Sequence, residues 1–373
     1  MGAGAVVVNP VDGMDVVSTN QPEWDIAQGV VISAENVIGI ESPDPLVVNN
    51  MTIGADSASG ELSNNLFVLD NIDSKVFTLL AGGDVSVNSM LTVLKGKQFG
   101  IKAFDSADNS FNFSAGGIVV GDEDSTVSDE YAGVSFGVNT SGKIDVNGNI
   151  VTYGDLTLKG GSVDAGVLSV HSGNVAIEST GGVNLSQFVD SGDGDTSIVA
   201  GTDIVVDGAF QKAAGGAVDL QADGNITIAG VFENKSESDT TIKADALSVT
   251  GMMTNEDNNA ELTLNVNEWT VNGGDSGTGS FVNGGNVVAV VDGVSYFENG
   301  INLSSMGQDN VFSLDTGSLE FGSGVDESVW TGLFLNSLKS FNLVFRNSDM
   351  DLSDVIVLNG ANGNAGANIS LSA

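Results

Sequence analysis

Residues 218–230 read Val218-Asp219-Leu220-Gln221-Ala222-Asp223-Gly224-Asn225-Ile226-Thr227-Ile228-Ala229-Gly230. Apolar and polar residues alternate in the first five positions and again at Ile226-Thr227-Ile228, the pattern of strands with one buried face. Asp, Gly and Asn separate the two runs and supply a turn. The phrase recurs on both sides. Upstream, Ile198-Val199-Ala200 precedes Ile204-Val205-Val206-Asp207-Gly208. Downstream, Ile242-Lys243-Ala244 leads into Leu247-Ser248-Val249-Thr250-Gly251, and Leu262-Thr263-Leu264-Asn265-Val266 into Trp269-Thr270-Val271-Asn272-Gly273. Ala200, Ala222, Ala244 and Val266 stand 22 apart, while Gly208, Gly230, Gly251 and Gly273 are 22, 21 and 22 apart. An earlier copy is legible in Val175-Ala176-Ile177 and Val183-Asn184-Leu185.

A repeat of this length holds two or three short strands. The spacers are too short for a helical crossover, which takes about a dozen residues. The expected fold is therefore all-β, a parallel β-helix (β-solenoid) with capping segments, in which inward residues of successive coils form ladders. Glycine is expected at corners, where left-handed backbone is needed. The absence of proline from 46 to 373 leaves the backbone N–H groups free to join the ladder. Residues 1–60 hold all four prolines (Pro10, Pro22, Pro43 and Pro45) with Trp24, and are expected to be an N-terminal cap or irregular region. The solenoid proper is expected over 61–320, clearest at 175–274, with C-terminal coils or a cap over 321–373.

Composition narrows the function. With 49 Asp and Glu against 11 Lys and Arg, the formal net charge is −38. Phosphate contacts need basic residues, so an ordinary nucleic-acid binder is excluded. Disorder is the other reading of such a charge, but 41% of the chain is hydrophobic and only 16% charged, which favours a packed core. With no cysteine there is no disulfide framework or thiolate site. His171 and Arg346 are the sole histidine and arginine. A two-histidine metal site is thereby excluded. His171, in Val170-His171-Ser172-Gly173, reads as a surface or ladder residue, and Arg346 as one half of a local ion pair with Asp349 or Asp351. Met252, Met253 and Trp269 read as coil packing. No run of about eighteen apolar residues marks a membrane span. The start at Met1 lacks the basic region of a signal peptide, so either the chain is not exported or the numbering begins after a removed leader. The lack of cysteine, the acidity and the turn-rich β composition favour the second.

The phrases Gly181-Gly182-Val183-Asn184-Leu185 and Ala222-Asp223-Gly224-Asn225-Ile226-Thr227-Ile228 resemble the repeats of filamentous-haemagglutinin-like adhesins, and similar phrases occur in autotransporter passenger domains. The resemblance implies a right-handed parallel β-helix and a protein of the extracellular space or cell surface that works by length, repetition and contact. It covers about a third of the chain.

Candidate sites are few. Asp190, Asp193 and Asp195 are closely spaced, as are Asp122, Glu123 and Asp124 in the acidic stretch 121–130. Hard cations take several carboxylate and carbonyl oxygens, so these are the places for structural calcium. The competing reading is a solvated turn between coils. Asp190, Asp193 and Asp195 are also where a glycan-active β-helix enzyme would keep paired carboxylates. A bulky apolar cluster, Trp330, Phe334, Phe341 and Phe345, is the candidate assembly contact. Its spacing permits a helix, but the alternation Phe341, Leu343, Phe345 favours a strand. The expected function is non-enzymatic: an extracellular structural β-solenoid that self-associates into a surface layer, filament or fibre. Self-repulsion at −38 makes that assembly dependent on cations. The runners-up are a monomeric adhesin or carbohydrate-binding passenger and a glycan-active enzyme. Expected partners are copies of the chain, then surface glycans or neighbouring cells, with neither nucleic acid nor membrane insertion.

Overall fold

The computed structural model describes the side chains of residues 112–121, 135–235, 237–274, 279–303, 306, 310–322 and 342–346, with Val87, Met90 and Leu91; strands elsewhere are described by their backbone alone. The described residues form strands and turns with no helix, and the strand pairings are parallel. The fold is a parallel β-solenoid. The chain divides into two compact units, residues 1–183 and 184–373.

In the second unit each coil contributes to three stacks of strands. One stack contains Thr196–Ala200 and Val218–Ala222, followed by the first parts of Thr240–Val249, Glu261–Val271, Asn286–Phe297 and Val311–Phe321. Its inward column is Ile198, Leu220, Ile242, Leu264, Ala289, Leu314 and Leu343, each the register partner of the next. None of them is more than 1% exposed. Burying one such Ile or Leu side chain contributes about 1.5–3 kcal/mol, so the column is a main source of stability. A second stack brings Ile204, Ile226, Leu247 and Trp269 into register. Trp269 is fully buried and meets the rings of Phe281 and Phe297 edge-on, at 5.1 and 4.7 Å between centroids. The third stack is built from three-residue strands, including Phe210–Lys212, Phe232–Asn234, Met253–Asn255 and Phe281–Asn283.

The first unit has the same construction. Phe136, Leu156 and Val175 form one inward column, and Ile118, Ile150 and Leu168 another. His171, itself exposed, stacks on Tyr153 one coil earlier, with ring centroids 4.5 Å apart. Within 1–60 the backbone-described strands also pair in parallel, as in Val6–Val8 with Val30–Ile32. At the other end, Leu333–Leu335 and Ser340–Phe345 are strands, and Phe341 pairs with Ile369.

Two features of the repeat take physical form in the structure. The period of 22 holds from Thr196 to Val271, but Leu262 pairs with Val287, Val287 with Phe312 and Leu314 with Leu343. These offsets are 25, 25 and 29. A strand needs only to find its neighbour's register, so corners absorb extra residues while the ladder continues. The repeat glycines are the second feature. Gly230, Gly251 and Gly273 are not among the left-handed residues, which include Gly173, Gly216 and Gly300. At the three repeat positions successive backbones lie so close that an added Cβ would stand 2.6, 2.6 and 2.0 Å from the preceding coil's backbone. Close approach selects glycine there.

Candidate functional site

The short strands of the third stack share a form: an apolar residue, a middle residue, then a polar residue. Phe188-Val189-Asp190 is followed by Phe210-Gln211-Lys212, Phe232-Glu233-Asn234, Met253-Thr254-Asn255 and Phe281-Val282-Asn283. Alternation sends the first and third residues inward, and parallel register then stacks like on like. Phe188, Phe210 and Phe232 form a face-to-face column with centroids 4.5 and 5.2 Å apart. Beside it runs a polar column, Asp190, Lys212, Asn234, Asn255 and Asn283, each at most 1% exposed.

Burial on this scale requires partners for every polar atom. The Lys212 ammonium supplies its three donors to Asp190 Oδ2 at 2.8 Å, the Gly192 carbonyl at 2.7 Å and the Gly194 carbonyl at 2.8 Å. Asp190 also accepts from the Gly192 N–H and the Thr196 hydroxyl, both at 2.8 Å. Asn234 Nδ2 donates to Asn255 Oδ1 at 3.0 Å, and Asn255 Nδ2 donates to Asn283 Oδ1 at 2.9 Å. Asn283 Nδ2 then reaches the Gly285 carbonyl at 2.6 Å. Asn234 Nδ2 also donates to Thr240 Oγ1 at 3.1 Å, so Asn234 and Asp190 each bond the threonine six residues on, Asn234 as donor and Asp190 as acceptor. The column therefore ties adjacent coils together and holds the turns that follow each short strand.

The carboxylates singled out from the sequence fall in different surroundings. Asp190 is not on a solvated turn: it is 1% exposed, and the positive charge beside it is the Lys212 ammonium. Asp193 and Asp195 are exposed, and Asp195 Oδ1 accepts the Ala217 N–H of the next coil at 2.8 Å. Among the described residues no group of three or more His, Asp or Glu is placed to hold a metal ion. Asp122, Glu123, Asp124 and Trp330 lie outside the described residues. The side chains of Phe334 and Phe341 lie outside those described, and Phe345 is 7% exposed. Arg346 pairs with Asp315, at 2.7 Å from Nε, and with Asp292, both on earlier coils. The expected local partners Asp349 and Asp351 lie outside the described residues.

Many acids act as backbone acceptors at corners. Asp203 Oδ1 accepts the Asn225 N–H at 2.7 Å, Asp239 Oδ1 the Glu261 N–H at 3.0 Å and, in the first unit, Asp155 Oδ1 the Asn174 N–H at 2.8 Å. A carboxylate accepting a backbone N–H across coils makes a charge-assisted bond exactly where the ladder is interrupted. Others are held by the few cations. Lys143 lies 2.6 Å from Asp164 and 3.3 Å from Asp145, and the bond to Asp164 raises its pKa despite some desolvation. Burial works to raise the Glu233 pKa, but bonds from Lys235 and Gln211 outweigh it, and the carboxyl sits below its ordinary value.

The polar column is not legible from residue type alone, because Asp, Lys and Asn are mostly exposed in folded proteins. The available signal was the recurrence of an aromatic two residues before a polar residue, at 190, 212 and 234. Fold and site together define a parallel β-solenoid whose interior polar chemistry joins coil to coil. No family model, curated protein or solved structure matches the chain.

Proposed function

We propose that this chain is a structural β-solenoid of the extracellular space or cell surface, of the kind found in filamentous-haemagglutinin-like adhesins and autotransporter passengers. It self-associates into a layer, filament or fibre, and calcium or another divalent cation promotes the assembly by screening its acids. The observation that carries this reading is the column from Asp190 to Asn283, whose buried polar groups are directed at one another and at the turns between coils. Such a column stiffens a stack, and a stack of in-register coils repeats its outer surface at roughly 4.8 Å intervals, which suits contact by repetition.

Sedimentation velocity and electron microscopy of the purified chain, with calcium or with chelator and at low and high salt, test the proposal. Calcium or high salt is expected to produce ordered assemblies that chelator at low salt disperses. A chain that stays monomeric in every condition overturns the self-association reading and favours the monomeric adhesin.

A further inference from the structure

The first stack of the second unit turns two outward columns to solvent. One runs Ser197, Asp219, Thr241, Thr263, Val288, Ser313 and Asn342; the other runs Val199, Gln221, Lys243, Asn265, Val290, Asp315 and Val344. The charged residues of these columns are Asp219, Lys243 and Asp315, and Arg346 is bound to Asp315. The face is therefore close to neutral in a chain of net charge −38. Acids border it on both sides: Asp195, Asp239 and Glu261 at one corner, and Asp223, Asp245 and Asp292 at the other, all exposed. At its centre are Val288 and Val290, 40% and 37% exposed; with Met90 of the first unit they are the exposed large hydrophobics among the described residues.

We infer that this face is where two copies of the chain meet, an inference that rests on the self-association reading above. Its charge pattern is self-complementary. Lys243 is the basic side chain that no carboxylate pairs among the described residues. Asp315 lies three coils further along the same column. A two-fold axis parallel to the strands and midway between Asn265 and Val290 lays the column on its own reverse. Lys243 of each copy then meets Asp315 of the other, and Asn265 meets Val290. The same operation sets Thr263 over Val288. Such face-to-face packing is the isologous contact of ordinary dimers. Six coils of five-residue strands offer about 500 Å² per copy, at the low end for a specific interface. Association through this face alone is therefore weak and concentration-dependent. It also brings acidic corner against acidic corner, which gives a physical reason for dependence on cations or salt.

The test is sedimentation of the full chain in calcium or high salt, comparing wild type with Val288→Glu/Val290→Glu, Lys243→Glu and, on another outward column, Thr270→Glu. Circular dichroism and melting establish that each variant folds. The double glutamate variant is expected to lose association, Lys243→Glu to weaken it about tenfold, equivalent to roughly 1.4 kcal/mol, and Thr270→Glu to leave it unchanged. If wild type associates and the double glutamate variant associates equally well, the face is wrong while self-association stands. If Thr270→Glu is as damaging as the double variant, general charge rather than this face governs assembly, and the inference fails. If wild type does not associate, the self-association reading fails and takes this inference with it.

Discussion

Lys212 Nζ lies 2.8 Å from Asp190 Oδ2, one coil away, and neither side chain is more than 1% exposed to solvent. Two unlike charges removed from water are tolerated because every remaining donor and acceptor is filled by Gly192, Gly194 and Thr196. The pair fixes which coil follows which, since a slip in register would leave one charge buried alone.

Removing one member of this pair should therefore be severe. Lys212→Met is expected to cost about 3–5 kcal/mol, and Asp190→Asn/Lys212→Met clearly less, because the double variant strands no charge. Chemical denaturation measures both. A loss below about 1 kcal/mol for the single variant would mean that the pair does not hold the coils together.

The asparagine column predicts a graded response at Asn255. Asn255→Leu removes the bond from Asn234 and the donor to Asn283 Oδ1, and should cost about 1–3 kcal/mol. Asn255→Asp can still accept from Asn234, but when ionised it cannot donate to Asn283. Its destabilisation should shrink as pH falls and the carboxyl gains a proton, which thermal melts across the acid range would reveal. A pH-independent deficit would count against the bonded column.

Gly251 and Gly215 separate close approach from backbone freedom. A Cβ on Gly251 would stand 2.6 Å from the Gly230 carbonyl oxygen, whereas on Gly215 the nearest neighbour is Asp193 Oδ1 at 3.7 Å. Gly251→Ala should cost about 1–3 kcal/mol through overpacking, and Gly215→Ala should be neutral or slightly stabilising. Equal effects in paired denaturation curves would overturn the explanation given for the repeat glycines.

Glu233 ties stability to acid. Its folded pKa is lowered: desolvation opposes this, but the bonds from Lys235 and Gln211 prevail. The unfolded chain therefore takes up the proton more readily. The contribution of Glu233 is present above the ordinary carboxylate range and is lost as pH falls through its depressed folded value. Glu233→Gln should flatten that part of the stability profile while leaving behaviour near neutrality little changed. An unaltered acid limb in denaturation titrations would argue that the lysine bond is not maintained in solution.

The strands around Ile226 and Leu264 were legible because alternation is local: a residue's face follows from its neighbours in sequence. The changing coil length was not, because Leu262 meets Val287 through a ladder that tolerates extra residues at the corner between them. The bond from the Ala217 N–H to Asp195 was not legible either, because an isolated carboxylate has no means of declaring which backbone N–H of the next coil it will meet.

The sequence by itself determined that the chain is a β-solenoid, since turn residues at a near-constant interval and strands with one apolar face permit little else, and it determined the acidity that any partner must meet. Only the tertiary structure decided that Asp190, Lys212, Asn234, Asn255 and Asn283 form one buried column, that Val288 and Val290 stand at the centre of a near-neutral face, and that Arg346 bridges Asp292 and Asp315. The physical reason is range. Alternation is set within a few residues, whereas the partner of a polar side chain is chosen by register across coils, and that register is the cooperative result of every ladder at once.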